Sequence, residues 1–171
     1  MNNTNVTKLD TIFDARGSLT EIVRIDRDSN GPIQQVYMTT VLPGISKAWH
    51  LHREQTDRMV CVKGRVLFVT LFIPEIDKDA LPKPNHLQSY PPLFLEEQKR
   101  ADLKKIVMDG TNPSLITIYK GYWHGFKNIG NEEAIIINCP NQLYNYDEPD
   151  EVRESIDRFN HIFAWGASVD G

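Results

Sequence analysis

His50 and His52 are two residues apart. In a β-strand, positions i and i+2 project from one face, so both imidazoles would enter the same side of a sheet while Trp49 faces the other. A carboxylate, Asp57, follows after four residues. A third imidazole, His124, sits in the aromatic run Y-K-G-Y-W-H-G-F-K-N at residues 119–128. The chain has only 5 histidines, so three of them on strand-like stretches point to a shared site. Two chemistries suit these groups. A neutral imidazole, with an unperturbed pKa of ~6.5, can act as a general base near pH 7. Alternatively, His50, His52, Asp57 and His124 form a three-imidazole, one-carboxylate set for Fe, Mn, Ni or Zn rather than Mg. The plainer alternative is a polar strand edge that happens to carry two histidines.

The flanking sequence has to supply the strands. Residues 36–41 read as a strand and end at a Pro43-Gly44 turn, before the histidine pair. Residues 58–62 read as a strand, Lys63-Gly64 punctuates, and residues 66–73 form an apolar strand. Residues 115–119 lead into the His124 corner, and N-I-G-N at 128–131 reads as a hairpin turn. Residues 134–139 form a nearly all-apolar strand whose one polar residue is Asn138. Upstream, residues 1–8 are expected to be loose. Residues 9–13 and 19–25 are expected to be strands around the turn Asp14-Ala15-Arg16-Gly17. Residues 34–42 form a further strand on which Gln35 and Tyr37 share a face.

The pattern breaks at residues 74–92, which hold five prolines without periodicity. Residues 93–106 have apolar positions at 93, 95, 103 and 106 among good helix formers, which suits a short helix. Together these suggest an insertion at about 74–109. A loop this long is usually a lid or an interface arm. The tail, residues 151–165, reads as a short helical or irregular segment with Phe159, Ile162, Phe163 and Trp165 to bury.

Bulk properties bound the rest. At 171 residues, 40% hydrophobic and 25% charged, the chain is expected to be one all-β domain over residues 1–171, a sandwich or barrel. A net charge of −4 argues against general nucleic-acid binding but leaves room for a local basic pocket. Cys61 and Cys139 lie in apolar runs and are expected to be buried free thiols. The polar start is not a signal-peptide pattern, and no apolar run approaches the ~20 residues of a membrane span. The expectation is a cytoplasmic protein with no membrane association.

Gly44, His50-x-His52, Asp57 and Gly64 fit the spacing of the first cupin motif, with Asp in place of the usual Glu. Gly121-x-x-His124-x-x-x-Asn128 fits the core of the second. More specifically, the chain resembles the dTDP-4-dehydrorhamnose 3,5-epimerase family over about residues 9–152. The resemblance rests on Asp14-Ala15-Arg16-Gly17 with Glu21, Gln35-Val36-Tyr37, Lys47-Ala48-Trp49-His50, Trp123-His124-Gly125-Phe126, and Tyr144-Asn145-Tyr146 with Pro149-Asp150-Glu151. It implies a cupin jelly-roll barrel, an isomerase needing no cofactor, and a homodimer that exchanges N-terminal strands. The implied substrate is a 4-keto-6-deoxyhexose on a nucleoside diphosphate.

The resemblance also implies site roles. His50 matches the base. Arg58 falls near a pocket lysine and, like Lys47, could stabilise an enolate. Arg16 and Lys47 would bind phosphate, with Lys47 standing where the family has Arg. Glu21, Gln35, Tyr37, His52 and His124 would line the substrate pocket. The family's acid is a tyrosine, but counting to its place from Tyr144 reaches Asn138. Asn138 is then a binding residue, and Tyr144 and Tyr146 are the candidate acids. A non-catalytic sugar-binding barrel is the remaining alternative.

Overall fold

The computed structural model describes residues 4–27, 30–74 and 101–166. Twelve strands lie within them, and there is no α-helix among the described residues. The first is β1 (Asn5–Lys8), and β2 (Thr11–Asp14) and β3 (Gly17–Thr20) form a hairpin. They are followed by β4 (Tyr37–Val41), β5 (Ser46–His52), β6 (Asp57–Lys63) and β7 (Arg65–Phe72). The chain continues through β8 (Asp102–Asp109), β9 (Ser114–Ile118), β10 (Trp123–Asn128), β11 (Ala134–Asn138) and β12 (Glu151–Arg153).

Two antiparallel five-stranded sheets result. One runs β1-β9-β6-β11-β4 and the other β12-β5-β10-β7-β8. This is the expected cupin jelly roll. Val41, Met59, Cys61, Ile116 and Ile136 from the first sheet meet Val66, Phe68, Met108 and Phe126 from the second in one buried core. Strand alternation fixes the outer faces. Trp49, Leu51, Val69, Leu71 and Trp123 point away from that core and pack under Phe159 and Trp165 of the tail. Both cysteines are buried and free, as expected. No described helix is long and apolar enough to cross a membrane.

The structure corrects four expectations. Residues 5–8 are a strand, because β1 pairs with β9 from Asn5↔Thr117 to Lys8↔Ser114. The second early strand is shorter than residues 19–25, since its pairing with β2 stops at Thr20. The helix expected at 93–106 fails over its described part. Residues 102–109 pair along their whole length with β7. Leu103 packs on the outer cluster while Ile106 packs on the inner one, so their three-residue spacing puts them on opposite faces of a strand, not on one helix stripe. The rest of the expected excursion, residues 75–100, lies outside the described residues. The short helical tail is instead β12 followed by tight turns, marked by bonds such as Ile162 N–H to the Phe159 carbonyl at 2.8 Å.

Candidate active site

The site forms where β5, β10, β6 and β11 bring polar side chains to one end of the inner core. His50 and His124 are direct cross-strand partners on β5 and β10, with ring centroids 6.0 Å apart. The register then slips between His124 and Phe126, so Lys47 rather than Ala48 faces Phe126. Gly125 permits this bulge, because a Cβ there would lie 2.4 Å from the Ala48 Cβ.

Asp57, fully buried at the start of β6, is the hub. Its Oδ2 lies 3.3 Å from His52 Nε2 and 3.4 Å from His124 Nε2. Its Oδ1 accepts bonds from Gln55 Nε2 and Asn138 Nδ2, both at 2.8 Å. The other nitrogen of each ring faces a backbone carbonyl, His52 Nδ1 to Asp150 at 3.0 Å and His124 Nδ1 to Tyr122 at 3.1 Å. A carbonyl only accepts, so each Nδ1 carries a hydrogen and each Nε2 is turned on Asp57.

Electrostatics separates the histidines. Burial disfavours a charge on His52, but the neighbouring Asp57 carboxylate overrides it and lifts the imidazole to about 9. Burial opposes ionisation of Asp57 too, yet the His52 charge and the bonds from both rings hold it well below the usual carboxylate range. His50 behaves oppositely. Burial, with His124 alongside, lowers it to about 4, so it is neutral at physiological pH. Its side chain is 25% exposed, against 11% for His52 and 2% for His124. Its nearest carboxylate oxygen, Glu151 Oε1, is 3.9 Å from Nδ1. That is too far for a hydrogen bond.

The expected residues divide into two groups. Tyr37, His50, His52, His124 and Asn138 come together around Asp57. Asn138 Nδ2 also donates to the Tyr37 hydroxyl at 2.8 Å. Arg58 does not join them. It follows Asp57 on one strand and so points to the opposite face. It is fully buried, and its guanidinium donates to the carbonyls of Cys139, Gly31 and Pro32 at 2.8, 3.1 and 2.9 Å. This corrects its assignment as an enolate partner.

The remaining candidates lie at the rim or beyond. Lys47 Nζ bonds Thr39 Oγ1 at 2.9 Å, bridging β5 and β4 at the barrel mouth. Gln35 Oε1 accepts the Tyr144 backbone N–H at 3.0 Å. Tyr144 and Tyr146 stack edge to face, and Tyr146 is 85% exposed. Neither hydroxyl makes a bond to the Asp57 cluster. Arg16 sits at the exposed tip of the β2–β3 hairpin, paired with Asp14 at 2.6 Å. Glu21 pairs with Arg24 at 2.9 Å.

Sequence reasoning gave no role to Gln55, Asp150 or Glu151. The Asp150 carboxylate accepts the backbone N–H groups of Arg53, Glu54 and Gln55 at 3.1, 3.0 and 2.8 Å. It thereby closes the β5–β6 turn while its carbonyl orients His52. Glu151, bonded by Arg153 at 2.8 Å, faces His50. The available signal was the Pro149-Asp150-Glu151 motif.

His52, Asp57 and His124 offer ligand atoms within 4.8 Å of one another and could hold a cation. Imidazoles tied to carbonyls through the second nitrogen are the usual arrangement around a metal.

No protein-family model matches the chain. The chain is 32% identical to the probable low-salt glycan biosynthesis epimerase Agl13 of Haloferax volcanii, covering 100% of this chain and 98% of that one. It is 28% identical to the spore coat polysaccharide biosynthesis protein SpsL of Bacillus subtilis, covering 94% and 93%. Among solved structures, a dTDP sugar isomerase from Desulfovibrio desulfuricans G20 superposes with a TM-score of 0.75 at 20% identity, covering 96% of this chain and 92% of that one.

Proposed function

This chain belongs to the family of sugar epimerases that includes the glycan biosynthesis epimerase Agl13, and we propose that it works as a dTDP-4-dehydrorhamnose 3,5-epimerase-like cupin, inverting carbon beside the ketone of a nucleoside-diphosphate 4-keto-6-deoxyhexose. His50 carries the reading. It is the most exposed of the three pocket imidazoles, and burial keeps it neutral. A neutral imidazole with no hydrogen-bond partner among the described residues is ready to accept a proton. The ketone acidifies the C–H groups at C3 and C5, and removing one yields an enolate. His52, held charged by Asp57, presents a cation to that oxyanion, with His124 beside it on the same carboxylate. Lys47 at the mouth and Arg16 on the hairpin are suited to the diphosphate.

The remaining parts of the reading concern assembly and place. We assign a homodimer, in which the hairpin tip reaches the partner's pocket. The apolar surface of the hairpin supports this. Ile12, Phe13 and Leu19 are 66, 76 and 58% exposed. The two free buried thiols suit a reducing cytoplasm.

Deuterium exchange tests the reaction. In D2O, dTDP-4-keto-6-deoxyglucose incubated with the enzyme gains deuterium at C3 or C5 by NMR. His50→Asn lowers the rate by about 10²–10⁴-fold, the usual contribution of a general base. Undiminished exchange in that variant removes His50 from the role. The clustered His52, Asp57 and His124 support a second reading, a metal-dependent cupin. Stoichiometric metal in the purified protein, with exchange lost on chelation, would favour it.

A further inference from the structure

We propose that Tyr37 is the proton donor of this site, delivering a proton to the sugar carbon from the face opposite His50. The proposal rests on the epimerase reading above and supplies the acid that Tyr144 and Tyr146 do not.

Inversion needs two proton carriers on opposite sides of a flat enolate. His50 lies on the inner face of one sheet, so the second carrier should come from the other. On β4, alternation places Tyr37, Thr39 and Val41 on one face. Val41 is in the inner core, so that face looks into the barrel. Lys47 of β5 bonds Thr39 of β4 at 2.9 Å, which brings the two strands together at the mouth. Tyr37 lies two residues beyond Thr39, and His50 three beyond Lys47 across the bulge. The phenol and the imidazole therefore both lie on inward faces, on facing sheets.

The hydrogen bonding fixes which way the phenol acts. Asn138 and Tyr37 are cross-strand partners. The Asn138 Oδ1 accepts the Arg58 backbone N–H at 3.1 Å, which settles the orientation of its amide. Nδ2 must then face inward, where it donates to Asp57 Oδ1 and to the Tyr37 oxygen, each at 2.8 Å. Because the phenol oxygen accepts this bond, its own hydrogen is left to point elsewhere. Among the described residues no acceptor takes it. Tyr37 is thus a donor whose oxygen is anchored and whose hydrogen is available, and the Asn138 N–H stabilises the phenolate left after transfer.

The step balances. His50 takes the proton from carbon, and the C–H electrons form the enolate. The Tyr37 O–H protonates the same carbon on the other face. The phenolate then regains a proton from water, and the imidazolium releases one. Without Tyr37 the far face has only water as a donor, so the enolate is protonated mainly from the His50 side, which returns deuterated substrate of unchanged configuration.

The test separates inversion from exchange for Tyr37→Phe, using dTDP-4-keto-6-deoxyglucose in D2O. The expected result is inversion slowed at least ~100-fold while deuterium still enters substrate that keeps its configuration. Site-specific 3-fluorotyrosine at position 37 should move the alkaline limb of the inversion rate to lower pH, which a structural tyrosine would not do. Retained inversion in Tyr37→Phe overturns the proposal, as does exchange that falls in parallel with inversion. If the native enzyme shows no exchange, the epimerase reading fails and this one with it. Native exchange and inversion combined with an active Tyr37→Phe condemn Tyr37 alone.

Discussion

His50 and His52 stand two residues apart and carry opposite shifts, because Asp57 touches only one of them. The folded pKa of His50, about 4, lies below its unfolded value of ~6.5. The imidazole therefore stays neutral until about pH 4, and on the proposed role the acid limb of kcat/KM should lie near 4. A limb near 6.5 in the pH–rate profile would show a solvated imidazole instead. The same shift makes the unfolded chain the better proton acceptor between those values, so this residue lowers stability as pH falls from about 6.5 to 4. That His50, His52 and His124 meet in one place was legible in the sequence, since strand periodicity and motif spacing agree on it. Arg58 was misassigned against that same periodicity. Asp57 and Arg58 are consecutive on a strand and cannot both face the pocket. Tyr37 was placed on the right face, but its bond to Asn138 depends on the β4–β11 register, which composition does not encode.

At the scale of elements, the bulge between β5 and β10 governs the spacing of the site. Three residues from Lys47 to His50 match two from Phe126 to His124, and only a residue without a Cβ fits opposite Ala48. Gly125→Ala should disturb this register. The expected outcome is a loss of about 1–3 kcal/mol in chemical denaturation, as for other overpacked sites, with a larger fractional loss of activity. Gly130→Ala is the control, since its nearest contact is a looser 3.3 Å to the Asn128 side chain. The strands around the histidines were readable because apolar and polar residues alternate there. β8 was not, because good helix formers with apolar residues at 103 and 106 imitate a helix stripe. Only its pairing with β7 decides between the two.

At the scale of the whole molecule, β4 is an edge strand, and among the described residues its outer side has no partner. Val36, just before it, and Met38, within it, are 60 and 63% exposed. Exposed strand edges next to apolar side chains are templates for pairing with another chain. Phe13→Asp on the hairpin should weaken a homodimer, shifting sedimentation toward the monomer while leaving the circular dichroism of the barrel unchanged. A monomeric native protein would remove the assigned assembly.

Asp150 gives the pocket a thermodynamic character. One residue holds three turn amides through its carboxylate and His52 through its carbonyl. The entropy lost in aiming that imidazole is therefore charged to folding rather than to ligand capture. A ligand arriving at the barrel meets a floor that is already ordered, and the freedom it must still quench belongs mainly to its own torsions.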